Sequence, residues 1–151
     1  MSDRPQPPSE DGRFVGMLGL EVTYDDDGTV RGRLPIRTEL QQPYGIVHGG
    51  VYCTIIETLA SHAAAMRAMA DGNIVVGVAN ATDFIRATRE GVLEAVAEPV
   101  HVGRTQHLWQ VRVWREADGK VVARGQVRLQ VLPGDGDTGG APPDLAPPRP
   151  A

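Results

Sequence analysis

The chain has 151 residues, a formal net charge of −4 and a single cysteine, Cys53. That length suits one domain with a sizeable core, and the acidic balance without a long basic run argues against nucleic acid or an anionic membrane as the main partner. One cysteine excludes an internal disulfide framework and fits a reducing compartment.

Residues 1–11 are polar and Pro-rich and contain no apolar stretch of the kind a secretory signal needs, so we expect a disordered segment on a cytoplasmic protein. Phe14 to Leu20 reads as a short helix or turn. Leu20 to Tyr24 alternates like a strand, Asp25-Asp26-Asp27-Gly28 is a turn, and Thr29 to Ile36 alternates again, which together predict a hairpin. Arg37 to Val47 is a loop. After it, a run of about 20 residues lacks Gly and Pro and is dominated by Ala, Leu, Met and Ile, which predicts a helix. Its apolar residues (Val51, Ile55, Ile56, Leu59, Ala60, Ala63) pass almost right round the axis, the mark of a buried helix. Glu57, His62 and Arg67 interrupt it, so it is not read as a membrane span. Asp71-Gly72-Asn73 suits a helix end.

From there the signal is all strand. Ile74 to Arg86, Val92 to Val102, His107 to Arg115 and Val121 to Val131 are β-rich, and Ala117-Asp118-Gly119 makes the last pair a hairpin. Pro99 marks an edge or a bulge. Residues 133–151 are Gly/Pro-rich and are expected to be a disordered tail, which leaves residues 12–132 as the domain. The order β-β-α-β-β-β-β predicts an α+β fold in which a six-stranded antiparallel sheet wraps one long buried helix.

The helix carries the chemistry. Glu57 is a lone carboxylate on an apolar element, a placement that costs free energy and calls for a reason, either a functional role or satisfaction by hydrogen bonds or an ion pair. Ser61 lies four residues on, on the same face. Gly49 and Gly50 leave backbone N–H groups bare at the helix start, where the helix dipole favours negative charge. A carboxylate and an oxyanion-type N–H site on one element suit acyl chemistry. Gly49 and Glu57 are nevertheless about 12 Å apart along the axis, too far for one carbonyl to touch both. Either they serve different purposes or one copy of the chain supplies the Gly end and another the carboxylate.

The element order, the sequence Gly45-x-x-His48-Gly49-Gly50 and an acid seven positions after the second Gly resemble the hotdog-fold acyl-CoA thioesterases of the PaaI type over roughly residues 14–132. Many relatives carry Asp at that acid, so Glu57 brings the likeness closer to the 4-hydroxybenzoyl-CoA thioesterase branch. The resemblance implies roles. Gln42 would sit near the thioester, His48 would brace the loop, and the Gly49 N–H would polarise the carbonyl. Glu57 would be nucleophile or general base, and Ser61, where that branch has Thr, would help place water. Gly50 would line the substrate site. Arg86 and the turn Gly103-Arg104-Thr105 would contact CoA, although the Pro common after that Arg is missing here. Arg89 joins Arg86 and Arg104 as a candidate phosphate binder because a guanidinium fits phosphate bidentately. The family's unit is a homodimer with shared sites, usually paired into a homotetramer. No metal or cofactor is implied, because CoA is part of the substrate. A small or aromatic acyl-CoA is the expected substrate. The alternatives are a hotdog hydratase or dehydratase acting on acyl-CoA or acyl-ACP, and a non-catalytic acyl-CoA binding protein.

Outside this set, His62, His101 and His107 show no ligand spacing with Cys53 or one another, Cys53 reads as an inert thiol, and Arg124 and Arg128 read as a solvated strand face. Trp109 and Trp114 fall on opposite strand faces, one of them toward the core.

Overall fold

Alternation of apolar and polar residues in a strand buries one face and wets the other; the computed structural model describes residues 13–134, and within them Val30–Pro35 alternates strictly between buried and exposed. The elements are helix α1 (Phe14–Leu18), strands β1 (Glu21–Tyr24) and β2 (Val30–Pro35), the long helix α2 (Gly49–Met69), and strands β3 (Asn73–Phe84), β4 (Val92–Val102), β5 (Gln106–Arg115) and β6 (Val121–Pro133). The six strands form one sheet in the order β1-β2-β4-β5-β6-β3, with every pair antiparallel. The α+β architecture expected of the hotdog fold is therefore present. Of the two tails expected to be disordered, 1–11 lies outside the described residues. So does the tail after Gly134, whereas Pro133 completes β6 and Gly134 donates its N–H to the Gly72 carbonyl.

The 21-residue α2 packs across the concave face of the sheet. Ile55, Ile56, Leu59 and Ala63 meet Leu34, Leu93, Val111, Val113, Val127 and Leu129 in one core. Each large aliphatic buried this way contributes about 1.5–3 kcal/mol. Helix and sheet approach closely at Gly32, where an added Cβ would lie 2.9 Å from Leu59 Cδ1. Trp109 is the buried tryptophan, while Trp114 is half-buried and donates its indole N–H to Glu94 at 2.9 Å. The Pro99 signal holds as both edge and bulge: β2 pairs with β4 only as far as Val96, and the register of β4 against β5 shifts between Pro99 and His101.

Two features of the sheet position the site. Phe84, Val121, Arg115, Val92 and Pro35 share one end, where α2 begins, and Asn73, Pro133, Gln106 and Val102 share the other, where α2 finishes. Among the described residues strand β3 pairs only with β6, which leaves its outer edge open there, and residues 76–81 are exposed along it.

Candidate active site

The loop before α2 is held by its own backbone. Gln42 N–H donates to Ile46 O, Gly45 N–H to Gln42 O, and His48 N–H to Leu40 O. Arg89 reaches across to donate to the Tyr44 and Gly45 carbonyls at 2.8 and 3.2 Å, and Gln41 donates to the Arg89 carbonyl at 2.7 Å. The loop delivers His48 as the N-cap of α2, its Nδ1 accepting the Gly50 N–H at 2.9 Å and its carbonyl accepting the Val51 N–H. A neutral His48 ring that accepts at Nδ1 carries its hydrogen on Nε2. The cap consumes the Gly50 donor and leaves the Gly49 N–H with no acceptor among the described residues, at the positive end of a long helix. The Phe84 ring lies over Gly49 so closely that an added Cβ would stand 2.8 Å from Cζ. Phe84 in turn tilts against Tyr52, with centroids 6.1 Å apart, and burial pushes the Tyr52 phenol above its ordinary range, so it stays neutral.

Glu57 lies two turns further along, half-buried, on the open side of α2 with Cys53 and Ser61. Its Oε2 accepts from Asn80 Nδ2 at 2.9 Å, and its Oε1 faces the Ser61 hydroxyl at 3.5 Å, the limit of a hydrogen bond. Oε1 also presses on the backbone of β3, since a Cβ built on Gly77 would lie 2.5 Å from it. Glu57 is thus satisfied by neutral donors, and among the described residues no cationic side chain pairs with it. Further along α2, His62 stacks on Tyr24 of β1, its Nδ1 2.7 Å from the Tyr24 hydroxyl.

The remaining predicted residues do not all converge. Gln42 turns its Oε1 back to the Tyr44 N–H at 3.2 Å. Arg86 donates to the Val121 carbonyl, and with Arg89 it occupies the sheet end where α2 begins. The turn Gly103-Arg104-Thr105 closes the β4–β5 hairpin at the opposite end, with the Gly103 N–H on the Gln106 carbonyl at 2.9 Å. The ten residues of β5 separate the two groups by roughly 30 Å. One chain does not bring them together. Beside the helix start lies an open groove of about 310 Å³ lined by Phe14, Leu18, Leu40, His48, Val51 and Thr54. Among the described residues no group of three or more His, Cys, Asp or Glu side chains is placed to hold a metal ion, and no helix is long and apolar enough to cross a membrane.

Sequence reasoning missed three residues of β3 that face this strip: Gly77, Asn80 and Phe84. The one available signal was Gly77, because a glycine inside a strand pattern marks a bulge or a close approach.

Comparison with known proteins gives a consistent picture. The model of the thioesterase superfamily matches residues 44–122. A Mycobacterium tuberculosis protein named as an esterase is 46% identical over 132 residues, 86% of this chain and 94% of the relative. Its solved structure matches with a TM-score of 0.77 over 81% of this chain and 98% of that chain. The proofreading thioesterase EntH of Cronobacter turicensis is 33% identical over 105 residues, 70% of this chain and 76% of its own. The 1,4-dihydroxy-2-naphthoyl-CoA hydrolase of Escherichia coli is 28% identical over 122 residues, 81% of this chain and 88% of its own.

Proposed function

Because this chain belongs to the thioesterase superfamily, we propose that it hydrolyses a small or aromatic acyl-CoA to the free acid and CoA, with Gly49 as oxyanion donor and Glu57 as the acting carboxylate. The observation that carries the reading is the pairing on one helix of an unengaged N–H at the positive end with a half-buried carboxylate that has no cationic partner among the described residues. The Gly49 N–H would bind the oxygen of the tetrahedral intermediate, where a preorganised donor is worth about 10²–10³ in rate. Glu57 then acts in one of two ways. As base it takes a proton from water, the resulting hydroxide adds to the carbonyl, and the collapsing intermediate expels the CoA thiolate, which recovers the proton. As nucleophile it adds to the carbonyl itself, releasing CoA and leaving a mixed anhydride that water cleaves. Ser61 would orient the water, and His48, as the cap, would hold the loop that presents Gly49.

The helix geometry bears on assembly. Gly49 and Glu57 are about 12 Å apart along the axis, so the reading requires a second copy, with the partner's Glu57 facing the Gly49 of the first. The open edge of β3, with Val76 and Val78 exposed, supplies a surface for such a homodimer. A dimer is also what would bring a Gly103-Arg104-Thr105 turn toward the Arg86 and Arg89 end of the other copy. Pairing of two dimers into a homotetramer is part of the same reading. The groove beside His48, apolar at Phe14, Leu18, Leu40 and Val51 and polar at Glu39, Gln41 and Thr54, has room for a ring or short acyl chain, and the naphthoyl-CoA named for the Escherichia coli relative supports an aromatic group.

The test is release of free thiol from a panel of acyl-CoAs by wild type and Glu57→Ala in parallel. Release that falls by at least ~10² in a folded variant supports the reading and names the acyl class. CoA esters that bind without release would point instead to a hydratase or to a binding protein.

A further inference from the structure

We propose that Asn80 is a positioning residue for Glu57, brought to it by the bulge in β3; the inference rests on Glu57 being the acting carboxylate. Side chains on a strand alternate faces, so residues three apart point to opposite sides. Gly77 and Asn80 are three apart, yet both face Glu57. The register of β3 against β6 explains this: Gly77 pairs with Leu129 and Ala79 with Arg128, so Val78 is an extra residue without its own partner. That one insertion reverses the parity of everything after it. Asn80, Thr82 and Phe84 then share the helix-facing side, over Glu57, Ile56 and Gly49 respectively. Bulges are found beside functional sites for such re-aiming of side chains.

Asn80 is fixed on three sides. Its Oδ1 accepts the Thr82 hydroxyl at 2.7 Å, and its Nδ2 donates to both the Cys53 carbonyl at 3.2 Å and Glu57 Oε2 at 2.9 Å. The Cys53 carbonyl and the Glu57 carboxylate decide which way the amide faces, because a flipped amide would set Oδ1 against two acceptors. Gly77 closes the other side of the carboxylate, where no side chain but hydrogen fits beside Oε1. The carboxylate therefore has one oxygen tied to the strand and the other directed along the open side of α2 toward Ser61. Holding a reacting group in one orientation is worth a large rate factor, and a hydrogen bond to a charged group is among the stronger ones. Asn80 touches the carboxylate and not the substrate, so its loss should be felt in turnover and not in binding.

The test is steady-state hydrolysis of benzoyl-CoA, or the best substrate of the panel, at pH 8 by the full chain and by Asn80→Ala, Asn80→Gln, Asn80→Asp, Thr82→Val and Glu57→Gln. Thermal melts show that each variant is folded. Asn80→Ala is expected to lower kcat by about 10- to 100-fold with KM little changed. Asn80→Gln, which keeps a donor, should recover part of that loss. Asn80→Asp keeps the shape but replaces the donor with a like charge, and should be the least active of the three. Thr82→Val, which removes the donor on Asn80 Oδ1 but leaves both Nδ2 bonds, should lose less than Asn80→Ala. A merely space-filling Asn80 would give the opposite order, with Asp closest to wild type. That order, a kcat within about twofold of wild type in Asn80→Ala, or a loss confined to KM would each overturn the proposal. Glu57→Gln separates the two levels. If it turns over like wild type, the reading of Glu57 itself fails; if it is inactive while the Asn80 variants are unimpaired, only the role of Asn80 fails.

Discussion

Replacing Gly77 by Ala adds one methyl group beside the proposed catalytic carboxylate and alters no ionisable or hydrogen-bonding group. Gly77 is not among the positive-φ glycines, so the strand accepts an L side chain there without backbone strain. The new Cβ would stand 2.5 Å from Glu57 Oε1 and 3.6 Å from its Cδ. Ordinary contact lies near 3.5 Å, so Oε1 must retreat by about 1 Å. Its retreat loosens the 2.9 Å bond from Asn80. Two stability effects oppose one another: removing a glycine from a strand gains roughly 0.5–1 kcal/mol, and weakening one hydrogen bond gives back about the same. The melting temperature should therefore stay within about 4 °C of wild type. Activity has no such compensation, because a displacement of about 1 Å at a reacting group costs on the order of 10² in rate. Thiol release under saturating acyl-CoA, beside a thermal melt, reads both quantities. A Gly77→Ala protein that melts like wild type and also turns over within about threefold of it would refute the placement of Glu57 at the reaction centre.

Three further outcomes follow from the structure. His48→Ala removes the Nδ1 that caps α2 and should cost about 1 kcal/mol, with a lower melting temperature and slower thiol release, because the loop presenting Gly49 loses its tie to Gly50. Gly32→Ala drives a Cβ to 2.9 Å from Leu59 Cδ1 inside the core and should cost about 1–3 kcal/mol in thermal melts, while kcat at 25 °C is unchanged. Burial pushes the His107 imidazole below its ordinary value of 6.5, with His101 adding to the shift, the Gly103 backbone opposing it and Arg67 reinforcing it. The unfolded chain then takes up that proton at a higher pH than the folded one, so stability is whole above pH 6.5 and declines below it, by at most about 1.4 kcal/mol per pH unit. Melting temperatures taken between pH 7.5 and 5.5 should fall more steeply in wild type than in His107→Phe. The lowered carboxyls of Asp27 and Asp118 act only in the more acidic carboxylate range and leave that window clear.

What was legible in the sequence was whatever one period could carry. The helix over Gly49–Met69 announced itself by apolar residues all round its axis, and a lone Glu57 among them had to have a purpose. The strands declared themselves by alternation, and Pro99 marked its bulge because proline removes a ladder donor. Sheet order was not legible in this way, since β3 follows the helix in sequence yet pairs with the last strand, β6. The separation of Arg86 and Arg89 from Gly103, Arg104 and Thr105 has a plainer cause, since the 11 residues of β4 run between them from one end of the sheet to the other.

The least legible feature is also the one that completes the site. Read with a strict period of two, Asn80, Thr82 and Phe84 belong to one face of β3 and Gly77 to the other; all four share a face only once an extra residue is counted. No composition rule places that residue at Val78, since valine is an ordinary strand former. The bulge exists because Gly77 lets the strand approach Glu57 more closely than any side chain would permit, and because Asn80 can then bond both the helix backbone and the carboxylate. Helix and strand therefore fix one another: the carboxylate selects the register of β3, and the register holds the carboxylate. The same reasoning sets how the two substitutions should combine. Gly77→Ala and Asn80→Ala disturb a single constraint from its two sides, so the double variant should lose much less than the product of the single losses. Full multiplicativity in kcat would show that the two residues act on Glu57 independently.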